Sequence, residues 1–559
     1  MLMRLLVITL SLVLLSGNPP QLSAKQPART RHAMVVAEEP LASEIGSAVL
    51  KSGGNAVDAA VAVGFALAVT FPYAGNLGGG GFMLVRLADG STTFLDFRER
   101  APAAATRDMY LDPAGNVTRE SVDGWRASGV PGTVRGLQLA HKKFGRKTWP
   151  ELLAPSIALA KNGFTVPYSL ATSLKDASAK LGNFPESKRV FLNDGAGFEM
   201  GSHFAQPDLA RTLKRVSKNP NDFYEGETAR LIAAGMAANG GLITLDDLKG
   251  YKVAERKPLT GKYREFEVIT APPPSSGGIG ILQMLGMLEN SGYEKSGAGS
   301  AACIHYVAEV MRRFFADRSE YFGDPDFFHV PVEALLNPAY IARQKSTIDP
   351  HRATPSSEIG PGKLAGYEST ETTHFSIIDK DGNAVAMTYT LNAGYGSKVT
   401  VPGTGILLNN EMDDFSAKPG VPNMYGLIQG EGNAIQPQKR PLSAMTPTIL
   451  VRDAKPFLVV GGPGGPKIIS SVLQVILNIV DFGMNVQDAV DAPRFHHQWQ
   501  PDIITLERGF SPDTIKILES LGHKVELSNS VARIEAIVVD NGLLQGGADG
   551  RGYGKAEGY

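Results

Sequence analysis

The residues best placed to do chemistry lie in one short stretch, Glu371-Thr372-Thr373-His374-Phe375-Ser376, which runs on into IIDKDGNAVAMTYTLN. A threonine hydroxyl is a poor nucleophile until a base takes its proton. A threonine at the N-terminus of a chain brings that base with it, because a free α-amine has a reference pKa of about 7.7–8.0. A cut between Glu371 and Thr372 would therefore put nucleophile and base in one residue. The bland alternative is a pair of β-forming threonines with no part in any reaction.

The elements around that stretch decide what could assist it. Apolar and polar residues alternate on both sides of Lys380-Asp381-Gly382, which reads as a three-residue hairpin loop with Gly382 left-handed. In that register Asp379 pairs with Asn383, and Thr372 stands opposite Thr390 on the same face, with Asn392 one step diagonal. A two-residue loop would pair Thr373 with Thr390 instead. In the first register Thr390 and Asn392 are positioned to orient the Thr372 hydroxyl and amine.

Further along, VVGGPGGPKII reads as a strand, a glycine-rich turn and a helix start. It fits neither a Walker A loop nor the dinucleotide fingerprint. It is either a tight turn or a place where bare backbone N–H groups, those of Gly464 and Gly465, approach a reacting carbonyl. Arg98 in DFRER reads locally as an arginine between acids, and NNEMDD as a solvated acidic loop or a weak calcium site.

Elsewhere, ASEIGSAVLKSGGNAVDAAVAVGFALAVTF reads as two helices split by Gly53-Gly54, with Asn55 an N-cap and Asp58 three residues on. A glycine-rich loop and a hairpin turning at Ala88-Asp89-Gly90 follow. The region from about Trp149 to Gly250 is helical. APPPSSGGIG reads as a loop entering a helix rather than a linker. From ETTHFS onward strands predominate, with helices at GPKIISSVLQVILNIVDFG and SPDTIKILESLG. The mixture is α+β with antiparallel hairpins.

Composition excludes several classes. Lys plus Arg (55) balance Asp plus Glu (56) over 559 residues, so no global charge draws the chain to nucleic acid or anionic membrane. Hydrophobic residues at 43% and charged residues at 20% suit a chain with a large core. Residues 1–24 carry a basic start, an apolar run Leu5–Leu15 and small residues at Ser23-Ala24, the pattern of a cleaved secretory signal. No later segment reaches spanning length without Gly, Pro or charge, so no stable membrane insertion is expected after that cleavage. The single cysteine, Cys303, allows no intrachain disulfide and reads as a core thiol. His496 and His497 are adjacent, so on a strand they point to opposite faces and do not readily share a metal. ADRSEY (Ala316 to Tyr321) reads as a structural helix with local charge pairing.

TTHFS, GILLNNEMDDFSAKPG, KRPLSAMTPTI and VVGGPGGPKII occur in that order, preceded by GGNAVDAAVA, LDFRERAP and APPPSSGG and followed by APRFHHQW. Together they closely resemble the γ-glutamyltranspeptidase family, across essentially the whole chain after residue 24. The resemblance implies an N-terminal-nucleophile hydrolase with an αββα sandwich, self-cleaved into a large piece, 25–371, and a small catalytic piece, 372–559, that stay together as a heterodimer. It implies Thr372 as nucleophile, Arg98 and Ser443 as ligands of a donor α-carboxylate, and Glu411 and Asp414 around its α-ammonium, with Asn392 also among the substrate-binding residues. It favours Gly464 and Gly465 as oxyanion donors and matches Tyr425 to an aromatic residue on a lid. One position departs from the pattern: Ala444 stands where a second serine is usual. The implied activity is transfer of a γ-glutamyl group from glutathione or related donors to amino acids, peptides or water, with no cofactor and no metal. The export signal implies a periplasmic product, with the extracellular space as the alternative. The rival within the superfamily is a cephalosporin (glutaryl) acylase; outside it, a secreted binding protein that turns nothing over.

Overall fold

Two seven-stranded antiparallel sheets lie face to face in the computed structural model, which describes residues 25–360, 372–418 and 430–559. One sheet runs in the order 555–558, 34–37, 373–378, 384–390, 80–86, 92–96 and 254–256. The other runs 28–30, 543–548, 535–540, 455–461, 448–452, 266–270 and 259–263. The helix Ala56–Thr70 covers the outer face of the first sheet, and the helices Gly277–Leu288 and Lys467–Val480 cover the second. This is the αββα sandwich that the family resemblance implies.

The alternation of the hairpin strand sets which side chains face which layer. Phe375 and Ile377 join a core with the helix Ala56–Thr70, including Val57, Val61 and Phe65. His374 and Ser376 face the opposite sheet, where Ser376 Oγ donates toward the carbonyls of Val459 (3.3 Å) and Glu535 (3.1 Å). Thr372 precedes His374 by two residues and so shares its face, at the mouth between the sheets.

The hairpin has the three-residue loop. Thr373 pairs with Tyr389 and Ile378 with Ala384, Asp379 N–H donates to Asn383 O at 3.0 Å, and Gly382 has φ 89°. Asp379 also anchors a neighbour: its Oδ2 accepts from Ala56 N at 2.9 Å, at the start of the covering helix. That helix begins with the expected capping box, Asn55 Oδ1 accepting from Asp58 N and Asp58 Oδ2 from Asn55 N. Every residue of Ala56–Thr70 is buried, as a helix with apolar residues on all sides, packed between a sheet and other helices, must be.

The 149–250 region is dominated by helices, with two short strand pairs between them (164–165 with 203–204, 192–193 with 196–197), and APPPSSGGIG is a buried loop leading into Gly277–Leu288. Cys303 is buried on the helix Ala301–Tyr321, and burial pushes its thiol up to about 12, so it stays protonated at neutral pH. On the same helix Asp317 accepts from Gln283 and Tyr340, and Arg318 Nε donates to Ser276 Oγ. These partners lie on other elements. Among the described residues no helix is long and apolar enough to cross a membrane.

Candidate active site

At the mouth of the sandwich Thr372 is 6% exposed, and its Oγ1 lies 3.5 Å from Thr390 Oγ1, across the hairpin as the register requires. Thr390 Oγ1 also accepts from Asn392 N at 2.8 Å. Asn392 itself is left-handed (φ 73°), a conformation asparagine tolerates better than most residues. It turns the chain out of the strand, and its Nδ2 donates to Asn410 O at 2.9 Å. The glycine-rich loop before 80–86 backs this arrangement. Asn76 Nδ2 donates to Thr390 O, and a Cβ on Gly79 would lie 2.0 Å from that oxygen, so only glycine fits there.

No nearby histidine competes as base. His374 is fully buried, one nitrogen bonded to Thr388 Oγ1 (2.8 Å) and the other to Ser376 Oγ (3.1 Å). Burial drops its pKa to about 3, so it stays neutral.

Arg98 is not a surface residue. It is 1% exposed, and its guanidinium meets both Glu411 and Asp414, two residues carried by the short 3-10 turn Glu411–Asp414. Its Nη2 also donates to Leu442 O at 3.2 Å and its Nε to Pro441 O at 3.4 Å, which places it beside Ser443. The acidic loop is therefore mostly buried rather than solvated. Ser443 is 3% exposed; its Oγ accepts from Met445 N at 3.2 Å, and Ala444 is buried beside it.

A third carboxylate, Glu99, was not singled out in the sequence. It is fully buried, 3.8 Å from Arg98 Nη1, and neither of its oxygens has a hydrogen-bond partner among the described residues; Glu411 Oε2 has none either. Burial pushes Glu99 up to about 7 and Glu411 well above the usual carboxylate range, against the downward pull of Arg98. Three carboxylates around one guanidinium leave a pocket that favours a second cation. The signal was present in DFRER, but nothing local distinguishes a buried acid from an exposed one.

The glycine-rich turn completes the site. Gly464 (φ 140°) and Gly465 (φ 56°) both have conformations that favour glycine, and a Cβ on Gly464 would lie 2.8 Å from Ala532 Cβ. Their carbonyls accept from Lys467 N and Ile468 N in the first turn of the helix Lys467–Val480. No acceptor for either amide N–H is found among the described residues. Two unengaged N–H groups at a helix start suit a developing oxyanion.

Glu371 and Tyr425 lie outside the described residues, as do 1–24. Away from the site, His305, Glu309 and His523 have ligand atoms close enough to suggest a metal centre. Hydrogen bonds already claim them. His305 Nε2 donates to Asp349 O (2.8 Å), its Nδ1 meets His523 Nε2 (2.7 Å), and Arg312 lies 3.2 Å from Glu309. A buried guanidinium already supplies the cation there. His496 and His497 bond separately, to Ser470 and Gln498 and to Trp499 N.

The family model described as gamma-glutamyltranspeptidase matches residues 42–559. A glutathione hydrolase proenzyme of Escherichia coli K12 is 52% identical over 529 residues, covering 94% of this chain and 91% of that protein. An acylase ACY 1 proenzyme of Pseudomonas sp. strain V22 is 37% identical over 541 residues, covering 95% and 94%. Among solved structures, a cephalosporin acylase from Bacillus halodurans superposes with a TM-score of 0.86 at 28% identity, covering 97% of this chain and 98% of that one. The γ-glutamyltranspeptidase of Helicobacter pylori gives 0.59 at 46% identity, covering 60% and 97%.

Proposed function

From the premise that the chain belongs to the γ-glutamyltranspeptidase family, we propose that it cuts itself before Thr372 and then transfers γ-glutamyl groups from glutathione or a related donor to amino acids, peptides or water. The observation that carries the reading is the position of Thr372. It faces Thr390 at the mouth of the sandwich, at the end of the strand that a cut would free.

In the first reaction Thr372 Oγ1 attacks the Glu371 carbonyl, and the resulting ester hydrolyses, leaving a free α-amine on Thr372. In the second, Oγ1 attacks the donor's γ-carbonyl while that amine takes its proton. The N–H groups of Gly464 and Gly465 hold the oxyanion; losing one such donor costs roughly 2.7–4 kcal/mol. The leaving amine departs with the proton, and water or an acceptor amine resolves the γ-glutamyl ester.

The donor's α-carboxylate pairs with Arg98 and Ser443, displacing one of the acids that now hold the guanidinium. The displaced acid, with Glu99 and Asn392, then faces the α-ammonium. Opposite charges are exchanged for opposite charges, so little desolvation is added. Tyr425, outside the described residues, is the lid residue in this reading. Residues 1–24 direct export, to a periplasm or beyond, and the two pieces 25–371 and 372–559 form one heterodimer.

A glutaryl acylase is the second reading, favoured by Ala444 and by the acylase relatives. The cluster of Glu99, Glu411 and Asp414 speaks against it, because a glutaryl group has no ammonium to neutralise them. Comparing γ-glutamyl and glutaryl p-nitroanilides decides between the two. A kcat/KM ratio above about 10² in favour of γ-glutamyl is expected; a preference for glutaryl would replace the first reading with the second.

A further inference from the structure

Arg98 binds two stretches of chain at once, the acidic turn Glu411–Asp414 and residues 441–442, and a further side chain spans the same two stretches. Asn433 is fully buried at the end of the short 3-10 turn Glu431–Asn433. Its Nδ2 donates to Asp414 O at 2.6 Å, and its Oδ1 accepts from Leu442 N at 2.9 Å. Leu442 O accepts from Arg98 Nη2 at 3.2 Å, and the same nitrogen meets the Asp414 carboxylate. Arg98, Asp414, Asn433 and Leu442 therefore form a closed ring, and Ser443 is the next residue along the chain.

The orientation of the Asn433 amide is forced. A carbonyl only accepts and a backbone N–H only donates, so one partner demands the NH2 group and the other the oxygen. The backbone is fixed as well. Asn433 O accepts from Ser416 N at 2.9 Å, Asn433 N donates to Gly430 O at 3.2 Å, and Lys439 Nζ donates to Ala434 O at 2.9 Å. The first residue of the acidic turn is held separately, Glu411 N donating to Asn409 Oδ1 at 3.0 Å. Of the two acids on Arg98, Asp414 is the more exposed, 20% against 1% for Glu411, so it is the one with room to turn.

Resting on the proposed γ-glutamyl transfer, we infer that Asn433 is a positioning residue for donor selection. It holds the Asp414 main chain at a set distance from Leu442 and Ser443, and so fixes the spacing between the ammonium and carboxylate halves of the donor site. When the donor's carboxylate takes the guanidinium, the Asp414 side chain swings to the ammonium while its main chain stays on Asn433. The donor carries both groups on one carbon, so a small drift of the turn weakens the ammonium contact first. A glutaryl group has no ammonium and does not read this spacing.

The test compares γ-glutamyl- and glutaryl-p-nitroanilide on the processed enzyme and on Asn433→Asp, in which the Leu442 bond persists while two oxygens oppose each other at Asp414. KM for the γ-glutamyl donor is expected to rise about tenfold with kcat within about twofold, the pattern of lost binding. The same variant should keep kcat/KM for the glutaryl donor within about twofold, which a general loosening of the site would not. Asn433→Gln keeps both groups but moves them by one methylene, and a smaller split in the same direction is expected. Equal losses on the two donors, or no change on either, in variants that complete the cut before Thr372 would overturn the assignment, as would failure of both variants to fold. A preference of the unaltered enzyme for the glutaryl donor would overturn the γ-glutamyl reading beneath it, a different result.

Discussion

Glu99 stands next to Arg98 in the sequence, yet its importance comes from residues more than 300 positions away. Glu411 and Asp414 hold Arg98 closely, so Glu99 keeps only the longer, 3.8 Å pairing with that guanidinium. Burial raises its pKa to about 7, above the ordinary glutamic acid value, and because Glu411 beside it is raised as well, the two together gain negative charge as pH rises. Donor binding through an α-ammonium needs the ionised form. The KM for a γ-glutamyl donor is therefore expected to fall as pH rises through about 7. Glu99→Gln should flatten that limb and raise KM, while the dependence of kcat on the Thr372 amine, near its reference value of about 7.7–8.0, persists. A KM profile identical to that of the unaltered enzyme would remove Glu99 from donor binding. Ala444 is the opposite case, legible in the sequence as a departure from the family pattern. Ala444→Ser is expected to lower donor KM by about tenfold, the weak end of the 1.5–3 kcal/mol for a hydrogen bond to a charged group; titrating initial rates against donor concentration measures it.

The hairpin was readable because Asp381-Gly382 favours the three-residue turn over the two-residue one; the two-residue period then pairs Thr373 with Tyr389 and brings Thr372 opposite Thr390. The capped helix Ala56–Thr70 was equally readable from Asn55, Asp58 and its unbroken apolar run. What alternation could not supply was the junction between elements: Asp379 reaching from the hairpin turn to Ala56 N, or Arg98 buried behind the Glu411–Asp414 turn. These are long-range pairings of common residue types, and local pattern carries no trace of them. The glycine turn lies between the two cases. Its shape was expected, but the closeness of Ala532 was not, and it adds a steric reason for glycine at 464. Gly464→Ala should displace the turn and cost about 10²–10³ in kcat with donor KM much less affected. Stopped-flow or steady-state kinetics on folded variant would show it; a tenfold or smaller loss in kcat would argue that the Gly464 amide is not an oxyanion donor.

Strands from before and after residue 372 alternate through the first sheet: 34–37 pairs with 373–378, and 80–86 pairs with 384–390. A cut before Thr372 therefore divides the chain without dividing the core. Both pieces should co-elute on size exclusion and melt in one transition, and separation without denaturant would contradict this topology. The architecture was legible mainly through the family resemblance, since composition and turn signals alone gave only an α+β class with antiparallel hairpins. The measurement that tests the account most directly is intact mass with N-terminal sequencing of the purified, incubated protein beside its Thr372→Ala variant. Two fragments, the smaller beginning at Thr372, with the variant uncut and inactive, are predicted. A single active chain, or a variant that cuts and turns over like the parent, would show that Thr372 is a strand residue and not the nucleophile.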